Sequence, residues 1–263
     1  MSSFAVEPRR PRSARALIAH LARCDARLVL RDPLLGLLLG LGPALALLAR
    51  YALPAIDGAL AEAGLVPGAP GEAPFSATYP MWVGFLGMWQ AALLPGTVFG
   101  FLLLEEKETG TLAATRVSPL PRRLHLLWRV AVPWGVALVL TLLMTPLVGL
   151  VDRPGLALFA LAPVSALAAP ATTLFIAGFA DDKVQGFALT KVTGVAGLTV
   201  LGGWFVGEPG RWLLGLFPPF LPVMGLWRAL AGRPDWPLPG MLGAVTGGLL
   251  VAVLARRLRR GDR

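Results

Sequence analysis

Acidic and basic side chains are concentrated at one point between two long apolar stretches of the sequence. Glu105, Glu106, Lys107 and Glu108 follow directly on the apolar residues 99–104. Four charged residues in a row at the end of an apolar run have the composition of a small docking element. Their fixed charges could bind a partner protein, so these residues are the first candidates for a functional site.

Residues 109–119, directly after these charges, predict a short helix that lies across the membrane normal. Gly110 can adopt the left-handed conformation that ends a helix, and Thr111 can cap the N-terminus of the next one. Ser118 and Pro119 then stop that helix. The alternative interpretation is a solvated loop whose charges only set the membrane topology.

The composition predicts a membrane protein. Of 263 residues, 56% are hydrophobic and 15% are charged, with a mean hydropathy of +0.68, whereas a soluble domain has about 25% charged residues. The net charge of +9 could indicate nucleic-acid binding. Basic residues at the cytoplasmic ends of membrane spans explain it better, so no nucleic-acid partner is expected. The single Cys24 excludes an internal disulfide framework.

Apolar runs of about 20 residues predict an all-α polytopic membrane protein that forms one transmembrane domain over residues 1–263. A basic amphipathic helix at 13–31 is expected to lie in the membrane interface. Apolar pieces in 207–237, separated by prolines, are too short to span and predict a re-entrant segment before the last span, with an ordinary outer loop as the alternative. The six predicted spans cover residues 33–53, 79–104, 124–151, 156–180, 187–206 and 238–255.

Basic residues also predict the orientation of the chain. If both termini are cytoplasmic, most lysines and arginines lie inside, and residues 54–78 form an outer loop. The prediction is a multi-pass protein of the cell (plasma or inner) membrane with both ends in the cytoplasm. The basic residues left outside are Arg50, Arg153, Arg211, Arg228 and Arg233.

Several kinds of chemistry are not supported by the sequence. It has no G-x-x-x-x-G-K-[ST] phosphate loop, no paired Cys/His spacing for a metal and no Ser/His/Asp set. Catalytic residues, a metal site and a cofactor in this chain are therefore not expected. Its predicted spans are almost free of charge, whereas ion-coupled carriers place ionisable residues at mid-membrane. This pattern favours an external source of energy.

The sequence EKETGTL at 106–112, followed by VSPL at 117–120, resembles the E-[KR]-E-x-G-T-L…SPL pattern of ABC-2 type transporter permeases. The predicted interfacial helix, six spans and re-entrant segment are similar to that family's layout. Residues 180–188 resemble the second cytoplasmic loop of its drug-export members, including fluoroquinolone-exporter-like permeases. At 113–114 this chain has two alanines where many members have a glutamate.

This resemblance implies that residues 109–119 form a coupling helix that docks into a separate ATPase subunit. Two such ATPases would bind the ATP and Mg²⁺, and a second permease subunit, identical or similar, would complete the transporter in the lipid bilayer. The residues expected to couple the permease to the ATPase are Glu105, Glu106, Glu108, Gly110, Thr111, Leu112, Ser118 and Pro119.

The expected function is therefore ATP-driven export of a hydrophobic or amphipathic substrate such as a drug, a lipid or a natural product. The alternatives are a structural or assembly protein without transport, and an intramembrane lipid-modifying enzyme. Residues that could line the substrate path, although helix packing explains each of them too, are Trp89, Gln90, Thr97, Thr193 and Thr199.

Overall fold

The computed structural model of the chain describes residues 23, 27–28, 31–64, 76–109, 122–151 and 155–261. The chain divides into two compact units, Met1–Leu37 and Leu38–Arg263. Helices account for the regular structure of the described residues. In chain order they are α1 Pro33–Glu62, α2 Ser76–Glu108, α3 Arg122–Val148, α4 Gly155–Ser165, α5 Ala168–Phe179, α6 Lys183–Phe205, α7 Gly210–Leu213, α8 Phe220–Leu230 and α9 Pro237–Gly261.

Six helical segments are long and apolar enough to cross a membrane: α1, α2, α3, the consecutive pair α4 and α5, α6, and α9. Crossing a hydrocarbon core of about 30 Å takes about 20 residues of helix, since each adds about 1.5 Å. The prediction of an all-α membrane protein with six spans is confirmed.

Several helices extend beyond the apolar runs that predicted them. Helix α1 continues through Pro54 to Glu62, so residues 54–62 are helical and not part of the predicted outer loop. Helix α6 begins at Lys183 and not at residue 187. Polar residues can extend a helix beyond its apolar part, because side chains and water satisfy the free backbone groups at the helix end. A prediction from hydropathy alone does not include these residues.

Within the first unit, the start of α1 has a local cause. One carboxylate oxygen of Asp32 accepts the backbone N–H groups of Leu34 and Leu35 at 2.9 and 3.3 Å, which is the N-cap geometry. Pro33 follows at the first helical position, where its missing N–H costs nothing. Of the predicted amphipathic helix at 13–31, only residues 23, 27–28 and 31 are described, so that prediction lies outside the described residues.

Helix α2 is the centre of the second unit. All fourteen residues from Ala91 to Leu104 are buried, and α2 packs against α3, α5, α6 and α8. A helix that is apolar on every side is expected to be buried in this way. Its first half contains a π-helical stretch, Val83–Gln90, in which the backbone hydrogen bonds depart from the regular α-helical pattern.

Small residues and hydroxyl groups hold the neighbouring helices close to α2. A Cβ atom added to Gly96 would lie 2.7 Å from the backbone oxygen of Ala169 in α5, so only glycine permits this approach. Hydroxyl groups of α3, α4 and α5 donate to backbone oxygens of α2, as is usual between membrane helices. These pairs are Thr145 to Gly87 at 3.1 Å, Ser165 to Met88 at 3.1 Å and Thr173 to Gly96 at 2.9 Å.

Between α6 and α9 the chain forms short helices. Arg211 of α7 donates to the backbone oxygens of Gly203, Trp204 and Val206 at 3.0–3.1 Å, and so caps the C-terminal end of α6 with a positive charge. Helix α8 has eleven residues, is buried from Phe220 to Arg228 and is too short to span. A buried apolar helix of this length is compatible with the re-entrant segment, which stays a prediction.

Candidate functional site

The charged residues 105–108 belong to the last turn of α2. Thr109 caps the C-terminal end of the helix: its backbone N–H and its hydroxyl both donate to the backbone oxygen of Glu105, at 2.9 and 2.8 Å. Because the four charged residues are helical, their side chains leave α2 about 100° apart and reach different neighbours. The last turn of α2 can therefore contact several elements at once.

The start of α6 is fixed by a reciprocal cap. The carboxylate of Asp182 accepts the backbone N–H of Gln185 at 2.8 Å, and the side-chain oxygen of Gln185 accepts the backbone N–H of Asp181 at 3.1 Å. This is a variant of the capping box, in which the N-cap residue and the residue three positions later accept from each other's backbone. Here Gln185 reaches the residue before the N-cap, Asp181, instead of Asp182 itself. The cap explains why α6 begins at Lys183, ahead of its apolar part.

The last residue of α2 also caps α6. One carboxylate oxygen of Glu108 accepts the backbone N–H of Lys183 at 2.9 Å. This N–H is one of the donors that a helix leaves unsatisfied at its N-terminus, and a carboxylate is favoured there by the helix dipole. The end of one span therefore completes the beginning of another, although about 75 residues separate them.

Two lysines add side-chain contacts between the same two segments. Lys107 donates to Asp181 at 2.7 Å and to the backbone oxygen of Ala180 at 3.0 Å. The ammonium of Lys183 lies 3.6 Å from a carboxylate oxygen of Glu105. These groups are substantially exposed, so each pair contributes little stability alone. Together they fix the direction of the two segments relative to each other.

The remaining charge of the motif turns toward α3. Glu106 forms an ion pair with Arg129, and the two side chains are 17% and 6% exposed. Removing either partner of a buried pair is costly, because the other charge is then left without compensation. We call residues 105–108 of α2, Arg129 of α3 and residues 180–183 the charged network.

The structure shows where the predicted coupling residues lie. Glu105, Glu106 and Glu108 come together in the charged network, and each has a partner within this chain. The other five, and the predicted helix at 109–119 apart from Thr109, lie outside the described residues. The coupling role of all eight stays a prediction. Arg129 and residues 180–183 were not predicted as members of this site.

The charged network has a testable pH dependence. The hydrogen bond from Lys107, and then its positive charge, hold the pKa of Asp181 below its usual range. A carboxyl whose folded-state pKa is lowered stabilises the protein above its ordinary pKa of about 3.9, and loses that contribution as the pH falls through the folded-state value. We expect the difference in melting temperature between the wild type and Asp181→Asn to be constant from about pH 5 to 8 and to vanish in stronger acid. Thermal unfolding across this pH range checks it, and a difference that grows on acidification would contradict it.

The residues predicted to line a substrate path do not form one group. Trp89 and Thr97 are buried inside the chain, and Trp89 packs edge-on against Phe217 at 5.3 Å between ring centroids. Gln90, Thr193 and Thr199 are partly exposed. The hydroxyl groups of the three threonines donate to backbone oxygens of their own helices at 2.6–3.0 Å. Their part in transport stays a prediction.

A second ionic cluster lies at the other end of α6 and was not predicted from the sequence. Arg228 of α8 is 4% exposed and donates to Glu208 and Asp235, each at 2.5 Å. Its guanidinium also lies over the ring of Trp212, 4.7 Å from the centroid, within the range of a cation–π contact. The cluster ties α8 to the segments on either side of it.

Among the residues that the structure describes, no group of His, Cys, Asp or Glu could hold a metal ion. The ionic clusters consist of acid–base pairs, whose carboxylates are already engaged by lysine and arginine side chains. Such pairs position helices, and they offer no open coordination site.

Comparisons with a family model and with individual proteins point to the same family. Residues 25–255 match the family described as "Fluoroquinolones export permease protein Rv2686c-like". The chain is 31% identical, over 186 residues, to the fluoroquinolones export permease proteins Rv2686c and MT2760 from two strains of Mycobacterium tuberculosis, H37Rv and CDC 1551. Each match covers 69% of this chain and 72% of the relative. The range matched by the family includes the whole charged network.

Proposed function

Because the chain belongs to the Rv2686c-like family of fluoroquinolones export permeases, we propose that it is the membrane subunit of an ABC exporter. Two copies of a separate ATPase would bind and hydrolyse ATP with Mg²⁺, and a second permease subunit would complete the transport path. The sequence has no phosphate loop of its own, so in this proposal the energy comes from the partner.

The charged network is the observation that supports coupling. In the proposal the ATPase moves residues 109–119, which continue directly from the last turn of α2. The network joins that turn to Arg129 of α3 and to the start of α6. A displacement applied after Thr109 would therefore be passed to three spans together. Glu105, Glu106 and Glu108 serve in this proposal to stiffen the connection, and the ATPase contacts fall to the residues that follow.

The orientation follows from the same proposal. An ATPase that uses ATP works in the cytoplasm, so the charged network would face the cytoplasm and the Arg228 cluster the opposite side. The basic residues near both termini and in the charged network favour this orientation. Both termini would then lie in the cytoplasm and the protein in the plasma or inner membrane.

The relatives' names suggest the substrate. They are named as exporters of fluoroquinolones, which combine flat aromatic rings with polar groups. We include amphipathic compounds of this kind in the proposed substrate class. The apolar side chains that α6 exposes, such as Val195 and Leu198, are suited to the apolar part of such a compound.

The proposal is tested by association with the ATPase. Glu108→Ala removes the carboxylate with which α2 caps the N-terminus of α6, and Gly110→Pro changes the predicted start of the coupling helix. We expect the double variant to lose most of its retention of the ATPase in a pull-down from membranes, together with substrate-stimulated ATP hydrolysis. Arg256→Met, which removes an exposed charge from α9, is the matched control and is expected to behave as the wild type.

A different outcome would favour another function. If the double variant retains the ATPase and its activity, the charged end of α2 does not couple the two subunits. If the wild type with its ATPase shows neither substrate-stimulated hydrolysis nor efflux, the exporter proposal fails. A structural membrane protein without transport then becomes the better interpretation.

A further inference from the structure

Lys191 is a charged residue within the membrane part of α6. It is exposed, and no hydrogen-bond or ion-pair partner for it is found in the described parts of the chain. It lies about 12 Å along the helix from Lys183, at about 1.5 Å per residue, and still farther from Phe205 at the other end. Of the other charged residues inside the described spans, Arg50, Asp57 and Arg129 each have a partner. Lys191 therefore needs a separate explanation.

The surface around Lys191 is apolar and continuous. Exposed residues recur every three or four positions, so they form one stripe along α6. Beside Lys191 the stripe contains Gly194, where an added Cβ atom would meet nothing within 4 Å. The stripe thus leaves space next to the ammonium group. Its members are Val184, Phe187, Ala188, Lys191, Gly194, Val195, Leu198, Gly202 and Phe205.

Other polar groups on α6 do not compete with Lys191. The hydroxyl groups of Thr190, Thr193 and Thr199 donate to backbone oxygens of α6 itself, at 2.6–2.9 Å. Their hydrogen atoms are therefore already used, and the hydroxyls offer only acceptor positions. Lys191 is the residue in this part of α6 that can donate to an anion and compensate its charge.

An ammonium group on an apolar membrane face costs several kcal/mol unless it is paired or reaches the interface. We propose that Lys191 binds the carboxylate of an amphiphilic acid, whose apolar part lies along the exposed stripe of α6. This inference rests on the proposed function and makes it more specific: the exported compounds are organic acids with a flat or extended apolar body, and Lys191 determines that preference.

The depth of Lys191 fits such a ligand. Side chains on a helix point toward its N-terminus, so the ammonium is directed toward the charged network and the membrane interface on that side. An amphiphilic acid dissolved in the lipid leaflet keeps its carboxylate near the headgroups and its rings in the hydrocarbon. The Lys191 ammonium lies on the interface side of the apolar stripe from Gly194 to Leu198. The polar and apolar groups of α6 therefore come in the same order as those of the ligand.

Binding of a matched pair of ligands tests the inference. The purified chain is placed in nanodiscs of phosphatidylcholine, and its binding of ciprofloxacin and of ciprofloxacin methyl ester is measured by equilibrium dialysis. We expect Lys191→Met to weaken binding of the acid about tenfold or more, the usual effect of losing a hydrogen bond between charged groups. The ester should bind the wild type and Lys191→Met equally.

Two control variants define the result. Lys191→Arg keeps the positive charge and is expected to retain the preference for the acid. Arg256→Met removes an exposed charge from α9 and is expected to leave both affinities unchanged. Circular dichroism of each variant confirms that its helices are retained.

Three results would overturn the inference. The first is equal binding of the acid by the wild type and Lys191→Met. In that case Lys191 contacts anionic lipid headgroups. In nanodiscs that also contain phosphatidylglycerol, the variant should then differ from the wild type only by retaining less of that lipid. The second is equal loss of acid and ester binding. The third is the absence of saturable binding of the acid to the wild type. The proposed function would not fail with it, because the ATPase pull-down tests that function independently.

Discussion

Replacing Arg129 with methionine is expected to lower the free energy of unfolding by about 3–5 kcal/mol. Arg129 and its partner Glu106 are 6% and 17% exposed, so water cannot take over the role of the missing cation. Methionine fills part of the space of the arginine side chain, which separates the loss of charge from the loss of volume. Unfolding of the purified chain in a detergent titration, followed by circular dichroism, measures the change.

A matched control comes from the same turn of α2. Lys107→Met also removes one partner of an ion pair, but the side chains of Lys107 and Asp181 are 43% and 82% exposed. Its effect is therefore expected to be much smaller. Similar losses for the two variants would show that burial does not decide the importance of these pairs. Glu106→Gln is expected to resemble Arg129→Met, because it removes the negative charge that pairs with the buried arginine.

Replacing Arg228 with methionine is expected to cost about 3 kcal/mol. The arginine makes hydrogen bonds to two carboxylates, Glu208 and Asp235, and lies over the ring of Trp212. Hydrogen bonds between charged groups contribute about 1.5–3 kcal/mol each. The carboxylates are 37% and 38% exposed and regain part of this free energy from water, so the loss stays below the sum. Thermal unfolding of the variant checks the expectation.

Arg233→Met is the control for this cluster. Arg233 contacts the same two carboxylates, but its side chain is 48% exposed. Its loss is expected to cost less than about 1 kcal/mol. A larger effect for Arg233→Met than for Arg228→Met would mean that the outer charges, and not the buried guanidinium, hold α8 in place.

The spans could be predicted from the sequence because a membrane imposes a local requirement. Each span must satisfy its backbone within one helix and present about 20 largely apolar residues in a row. The residues at which helices begin and end depend instead on polar capping side chains. Asp182 and Gln185 start α6, yet neither belongs to an apolar run. The predicted boundary at residue 187 therefore missed the first turn.

The charged network could be predicted only in part. The composition of residues 105–108 marks them as unusual, but it does not identify their partners. Arg129 and Lys183 are about 23 and 75 residues away in sequence, and no helical spacing relates such distant positions. Lys107 shows the same limit. Its position in the sequence marks it only as one of four consecutive charged residues, whereas its contacts to Ala180 and Asp181 depend on how two spans pack.

The candidates for a substrate path show what the sequence leaves open about the spans. Trp89 and Thr97 are buried within the chain, and their part in transport stays a prediction. Hydropathy and periodicity cannot separate a side chain that packs against its own subunit from one that faces outward. Lys191 illustrates the converse, because only the structure shows that it is exposed without a partner.

The burial of the apolar part of α2, from Ala91 to Leu104, also has a consequence for the biogenesis of the protein. In the order of synthesis α2 enters the bilayer before α5 and α8, the helices that later cover it. During that interval its glycine surfaces, including Gly84 and Gly96, face lipid, and its apolar composition on every side keeps it in the membrane. A polar substitution on α2 that the finished protein could satisfy would still meet no partner at the moment of insertion. Insertion of the nascent chain therefore places a requirement on the sequence of α2 that is separate from that of the folded state.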